Sequence, residues 1–130
     1  MYKLTITTVA LFAALLVAFA STAGARQTRG GALIVKAGTC SASSHSQLKA
    51  KRDDGRIETE FEVDQNRIGQ QWRVTLSLNG SNVFRGIKVT TAPSGSFTVR
   101  RLLAGGSGSR IVATARSLSS GETCRASISL

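Results

Sequence analysis

The chain of 130 residues holds 17 Lys or Arg against 7 Asp or Glu, a formal net charge of +10, with two cysteines and one histidine. That length suits one domain around one core and excludes a catalytic domain joined to a separate binding domain. One His and two Cys leave no material for a multi-ligand zinc site of the usual kind, so neither a metal nor a cofactor is expected.

Met1-Tyr2-Lys3 puts a basic side chain beside the free amine, and an uninterrupted apolar run follows from Val9 to Ala20. Ser21-Thr22-Ala23-Gly24-Ala25 then supplies small residues, with Ala23 and Ala25 forming an A-x-A exit before Arg26. These are the three parts of a secretory signal. A membrane-spanning helix needs about 20 apolar residues, and this run is too short for one unless the Thr-bearing stretch Leu4 to Thr8 is counted toward it. Ala18 and Ala20 offer a second exit site. Residues 1–25 are therefore read as a signal peptide, with no membrane span after cleavage, and the product as secreted.

An exported chain with Cys40 and Cys124 has one intramolecular pairing to make, and an oxidising compartment favours it over two free thiols. A bridge closing a loop of about 85 residues stabilises a fold by on the order of 4–5 kcal/mol in the chain-entropy model.

Residues 26–38 mix charge, Gly and a short apolar piece, and read as a flexible tail with room for one edge strand. From Ser43 onward the pattern has period two. Strand-like segments recur at 43–51, 56–64, 70–78, 83–90, 96–103, 110–118 and 122–130, separated by turn signals such as Asp54-Gly55, Asn79-Gly80 and Pro93-Ser94-Gly95. Strands of that length and spacing predict an all-β fold, a seven-stranded antiparallel sandwich occupying residues 39–130.

Register tests the first hairpin. With Asp54-Gly55 as a two-residue turn, Lys51 faces Glu58, Lys49 faces Glu60, Leu48 faces Phe61 and His45 faces Asp64. Opposite charges meet on one face and apolar side chains on the other, worth roughly 0.2–1 kcal/mol for each pair. In the third segment Trp72, Val74, Leu76 and Leu78 share the inward phase, so Trp72 is expected in the core rather than on a ligand platform. Val83-Phe84 blurs the phase of the next segment, which stays open. Later inward sets are Phe97, Val99 and Leu103, then Ile111, Ala113 and Ala115, then Cys124, Ala126, Ile128 and Leu130.

Seven sequential strands of this kind match the immunoglobulin or fibronectin type III sandwich. There the start of the first strand can run parallel beside the last, which would bring Cys40 near Cys124. The match is topological and assigns no activity. The stretches C-S-A-S-S-H from Cys40, D-D-G-R-I-E from Asp53, F-E-V-D from Phe61, W-R-V-T-L from Trp72, P-S-G-S-F from Pro93 and G-E-T-C from Gly121 resemble small secreted single-domain proteins of actinobacteria. That resemblance implies export and a single disulfide, and it brings no catalytic residues.

Chemistry is sparse. His45 opposite Asp64 lacks a nucleophile placed beside it, and reads as a polar surface pair. Asp64 to Gly69 follows the first half of a calcium loop, yet Ile68 occupies the fifth position and Thr75 the twelfth, so it reads as a turn. Gly105-Gly106-Ser107-Gly108 opens no helix and is no phosphate loop.

Charge carries the remaining signal. Apart from Glu122, the acids lie within Asp53 to Asp64, where Lys49 and Lys51 face them. Outward positions of the third, sixth and seventh segments read Arg73, Thr75 and Ser77, then Thr114 and Arg116, then Arg125, Ser127 and Ser129. Arg73, Arg116 and Arg125 are thus a candidate anionic-ligand face for a cell-envelope polymer, or for another secreted protein. Without interleaved aromatics, specific nucleic-acid recognition is not expected. The expected role is a non-catalytic, monomeric binding module, with a small-molecule carrier as the alternative and a secreted enzyme behind both.

Overall fold

The computed structural model describes residues 30–130. The signal-peptide reading, and the part of the tail before Gly30, lie outside the described residues. Among the described residues nine strands form two antiparallel sheets. In chain order they are β1 (Ile34–Ala37), β2 (Thr39–Cys40), β3 (His45–Asp53), β4 (Arg56–Asp64), β5 (Gln71–Leu78), β6 (Ser81–Val89), β7 (Ser96–Ala104), β8 (Arg110–Ser117) and β9 (Thr123–Ser129). The first sheet has the order β1-β3-β4-β7 and the second β2-β9-β8-β5-β6.

The β3–β4 hairpin adopts the register expected from its sequence, from His45↔Asp64 through Leu48↔Phe61 to Lys51↔Glu58. Asp54 and Gly55 both have positive φ, 46° and 76°, as a type I′ turn requires to match the strand twist. Asn79-Gly80 repeats the device between β5 and β6, with φ of 51° and 84°.

Alternation builds the core. Leu48, Ile57, Phe61 and Val63 of the first sheet are fully buried against Trp72, Val74, Leu76 and Ile111 of the second. Trp72 lies in the interior with its ring tilted against Phe97 at 6.1 Å. Its indole N–H donates to Gln65 Oε1 at 3.0 Å, so the one polar atom of the largest core side chain is satisfied. Leu78, at the end of β5, and Leu130, just beyond β9, are only partly buried against this cluster.

Three expectations are corrected. Among the described residues the strand count is nine, because Ile34–Ala37 pairs along β3 and Thr39–Cys40 pairs with β9. Neither piece shows alternation: β1 is a short edge ladder with three of its four residues exposed, and β2 is two residues long. Cys40 does not reach Cys124 on a parallel neighbour. The two are directly opposed in an antiparallel pair, with Cα atoms 4.0 Å apart and sulfurs at the bonding distance of 2.07 Å. Finally, Lys51 and Glu58 face each other without forming an ion pair, whereas Lys49 Nζ lies 3.0 Å from Glu60.

Between β1 and β2 the chain passes from one sheet to the other at Gly38, whose N–H donates to Ser46 O at 2.9 Å. A Cβ at this position would run into Ser46 Oγ, and would meet Arg125 O at 2.8 Å and Ala126 Cβ at 3.1 Å. The crossing is possible because residue 38 has no side chain.

Candidate anion-binding face

The outer surface of the second sheet is set by the same alternation that buries Trp72, Val74 and Leu76. Arg73 on β5 stands directly opposite Arg116 on β8, and Arg116 opposite Thr123 on β9. In the neighbouring row Thr75 faces Thr114, and Thr114 faces Arg125. All three arginines are exposed, while Thr75 and Thr114 are half-buried. Together they surround a shallow depression of about 350 Å³ floored by backbone and threonine side chains.

Like charges placed directly opposite one another in a sheet destabilise it. No carboxylate relieves them here: among the described residues the ion pairs are Lys49–Glu60 and Arg100–Glu60, both on the other sheet. Glu122 is near in sequence but serves elsewhere. It is buried, and its carboxylate accepts from Ser44 N–H and Ser44 Oγ, each at 3.0 Å. It ties the loop before β3 to the β8–β9 turn, a role the sequence reading did not give it.

The face also holds residues that the sequence left unassigned. A β-bulge opposite Leu76 and Ser77 shifts the β5–β6 register, so that Thr75 faces Arg85, Arg73 faces Ile87 and Gln71 faces Val89. Arg85 therefore joins the basic face, and Ile87 and Val89 form an apolar margin beside it, 47% and 43% exposed. Counting back from the Asn79-Gly80 turn gives the opposite phase beyond Val83. Only the bulge reverses it, and a bulge has no signature in this sequence.

The outer face of the first sheet differs in kind. Glu60 accepts from Arg100 Nε at 2.7 Å and Lys49 Nζ at 3.0 Å. These two cations, Arg100 foremost, hold its carboxyl below the usual glutamate range. A depression of about 630 Å³ beside them runs between Leu33 and Leu102, over the stems of Lys49, Lys51 and Arg100.

His45 and Asp64 stand opposite each other at the open end of the β3–β4 hairpin and make no ion pair. Asp64 Oδ1 instead accepts from Asn66 N–H at 2.9 Å, which fixes an Asx turn with Asn66 at φ 59°. That is the geometry of a strand connection. Among the described residues no three His, Cys, Asp or Glu side chains gather into a group able to hold a metal ion.

No protein-family model matches the chain, and neither a curated protein nor a solved structure matches it significantly.

Proposed function

We propose that this is a secreted, non-catalytic sandwich of the immunoglobulin or fibronectin type III kind. In this reading it binds an anionic envelope polymer through the outer face of its second sheet. The observation that carries the reading is the Arg73–Arg116 pair, two exposed arginines directly opposed across β5 and β8, neither of which is in an ion pair among the described residues. Repulsion within such a pair is tolerable in a binding site because an oxyanion removes it, and planar guanidinium forks suit phosphate, sulfate or carboxylate oxygens. Arg125, with Thr75, Thr114 and Thr123, supplies further donors around the same depression. Strand order supports the fold assignment: β3-β4-β7 against β6-β5-β8-β9 follows the two-sheet division of that sandwich. The Cys40–Cys124 pair agrees with an oxidising compartment. A core filled by Trp72, Phe61 and Phe97 favours surface binding over carriage of a small molecule inside.

The test is retention of the mature protein on isolated cell envelope and on immobilised heparin across a salt series. Wild-type retention is expected to fall steeply with salt, as counterion release requires. Arg73→Glu with Arg116→Glu should abolish it while the protein stays folded, since both positions are exposed. Lys49→Glu with Lys51→Glu should leave it nearly intact. Equal loss from both double variants would reduce the effect to net charge and remove the face as a site.

A further inference from the structure

β6 is the outermost strand of the second sheet, and β7 is the outermost strand of the first on the same side of the sandwich. The two are linked there by Arg101 of β7, whose guanidinium carbon lies 4.2 Å from the centre of the Phe84 ring on β6. An edge strand presents unpaired N–H and C=O groups, and natural proteins cover, shorten or guard such edges. This edge is not short: β6 runs for nine residues. Beyond the bulge its ladder with β5 is regular from Phe84 to Val89, about the length of an ordinary strand.

The edge is guarded by charge. Lys88 pairs with Trp72 in the β5–β6 register, so it lies on the inward face of the edge strand, half-buried. An inward-pointing cation at an edge opposes any strand that cannot answer it. Neither β6 nor β7 contains an acidic residue, while together they carry Arg85, Lys88, Arg100 and Arg101. Of these four, Arg100 has a carboxylate partner, Glu60. A second copy of β6 therefore offers Lys88 nothing, whereas an acidic strand offers it a counter-ion. On the outer face Ile87 and Val89 remain open to apolar neighbours.

We propose that the Phe84–Val89 edge is a strand-addition site for an extended acidic segment of a partner protein. One acid of that segment sits opposite Lys88, and another, four residues away on the same face, sits beside Phe84 and Arg101. Apolar residues facing Ile87 and Val89 continue that margin. Backbone hydrogen bonds to β6 supply affinity, and the alternating side chains supply selection. The site adjoins the Arg73–Arg116 face through Arg85, but it uses the free backbone edge and the inward Lys88, and it stands whether or not that face binds a polymer.

The probes are two blocked synthetic heptapeptides, one alternating valine with glutamate and one alternating valine with lysine. Each is titrated into the mature protein while backbone amide shifts and amide exchange are followed. The glutamate peptide is expected to shift the amides of β6 and slow their exchange, and the lysine peptide to do neither. Lys88→Ala should weaken the glutamate peptide roughly tenfold, and Lys88→Glu should reverse the preference, as expected when an opposing charge becomes a like one. Arg73→Glu with Arg116→Glu should leave the β6 response unchanged, which separates this edge from the polymer face. The proposal is overturned if the glutamate peptide perturbs only the outer faces of β5, β8 and β9. It also fails if β6 amides become protected with rising protein concentration and no peptide, because the occupant is then a second copy.

Discussion

The two sides of this sandwich are finished in opposite ways. On one side the chain crosses between the sheets at Gly38, with β1 on one sheet, β2 on the other, and Cys40 against Cys124 just beyond the crossing. On the other side β6 and β7 end their sheets in long strands, and a cation lying on an aromatic ring spans the gap. Covalent and steric constraints close the first side, while surface electrostatics guards the second. The difference teaches that constraint and availability are distributed by position in one small fold: one margin is held by a covalent bond and close packing, and the other keeps an unpaired strand edge.

The largest expected effect comes from breaking the fixed side. Cys40→Ala with Cys124→Ala releases a constraint spanning 84 residues of sequence separation. The chain-entropy model puts that at about 4–5 kcal/mol, a large share of the net stability of a domain this size. Urea unfolding of the oxidised and double-alanine proteins measures it. A loss below about 1 kcal/mol would mean that the β2–β9 pairing holds without the bridge, and the contrast between the two sides would shrink to sterics.

How much of this contrast the sequence carried differs by side and by element. The β3–β4 hairpin was fully legible, because a two-residue turn fixes the register and the Lys49–Glu60 and Leu48–Phe61 pairs each confirm it. Inward sets on β5, β8 and β9 were legible because alternation admits one phase, and on β7 the Phe97, Val99 and Leu103 spacing sufficed although Arg101 interrupts it. The crossing at Gly38 was not. Its requirement comes from Ser46 and from the backbone of Arg125, which are brought there by the fold. The phase of β6 was illegible because the bulge beside Leu76 and Ser77 reverses it within one residue. As a result the outward placement of Arg73, Arg116 and Arg125 was legible in the sequence, and that of Arg85 was not. Glu122 shows the same limit, since a buried carboxylate needs its partner Ser44 in space before it has a role.

Gly38→Ala sharpens the contrast at intermediate size. The added methyl meets the Arg125 carbonyl oxygen at 2.8 Å and Ala126 Cβ at 3.1 Å, and the Ser46 hydroxyl must also give way. Moving backbone in a packed margin costs about 1–3 kcal/mol. Gly106→Ala is the control, because a Cβ there meets nothing within 4 Å. Thermal unfolding should therefore separate the two variants clearly. Equal melting temperatures would show that the crossing has slack, and that the disulfide alone fixes this side.

The smallest effect is expected on the open side, and its smallness is the informative part. Arg101 is exposed and holds its position over Phe84 by a cation–π contact, an interaction worth about 0.5–1 kcal/mol at exposed sites. Arg101→Ala should lower stability by no more than that, while uncovering a ring that is already only half-buried. Arg101→Val should cost equally little in folding but take a guarding cation from the margin where β6 and β7 meet, leaving Lys88 as the cation on its inward face. Sedimentation of the two variants against wild type, over a range of protein concentration, then tests what the cation is for. If Arg101→Val self-associates and wild type does not, the charge keeps the edge available to a different strand. If both stay monomeric, the guard rests on Lys88 and on the bulge at Val83, and Arg101 is a lid on Phe84.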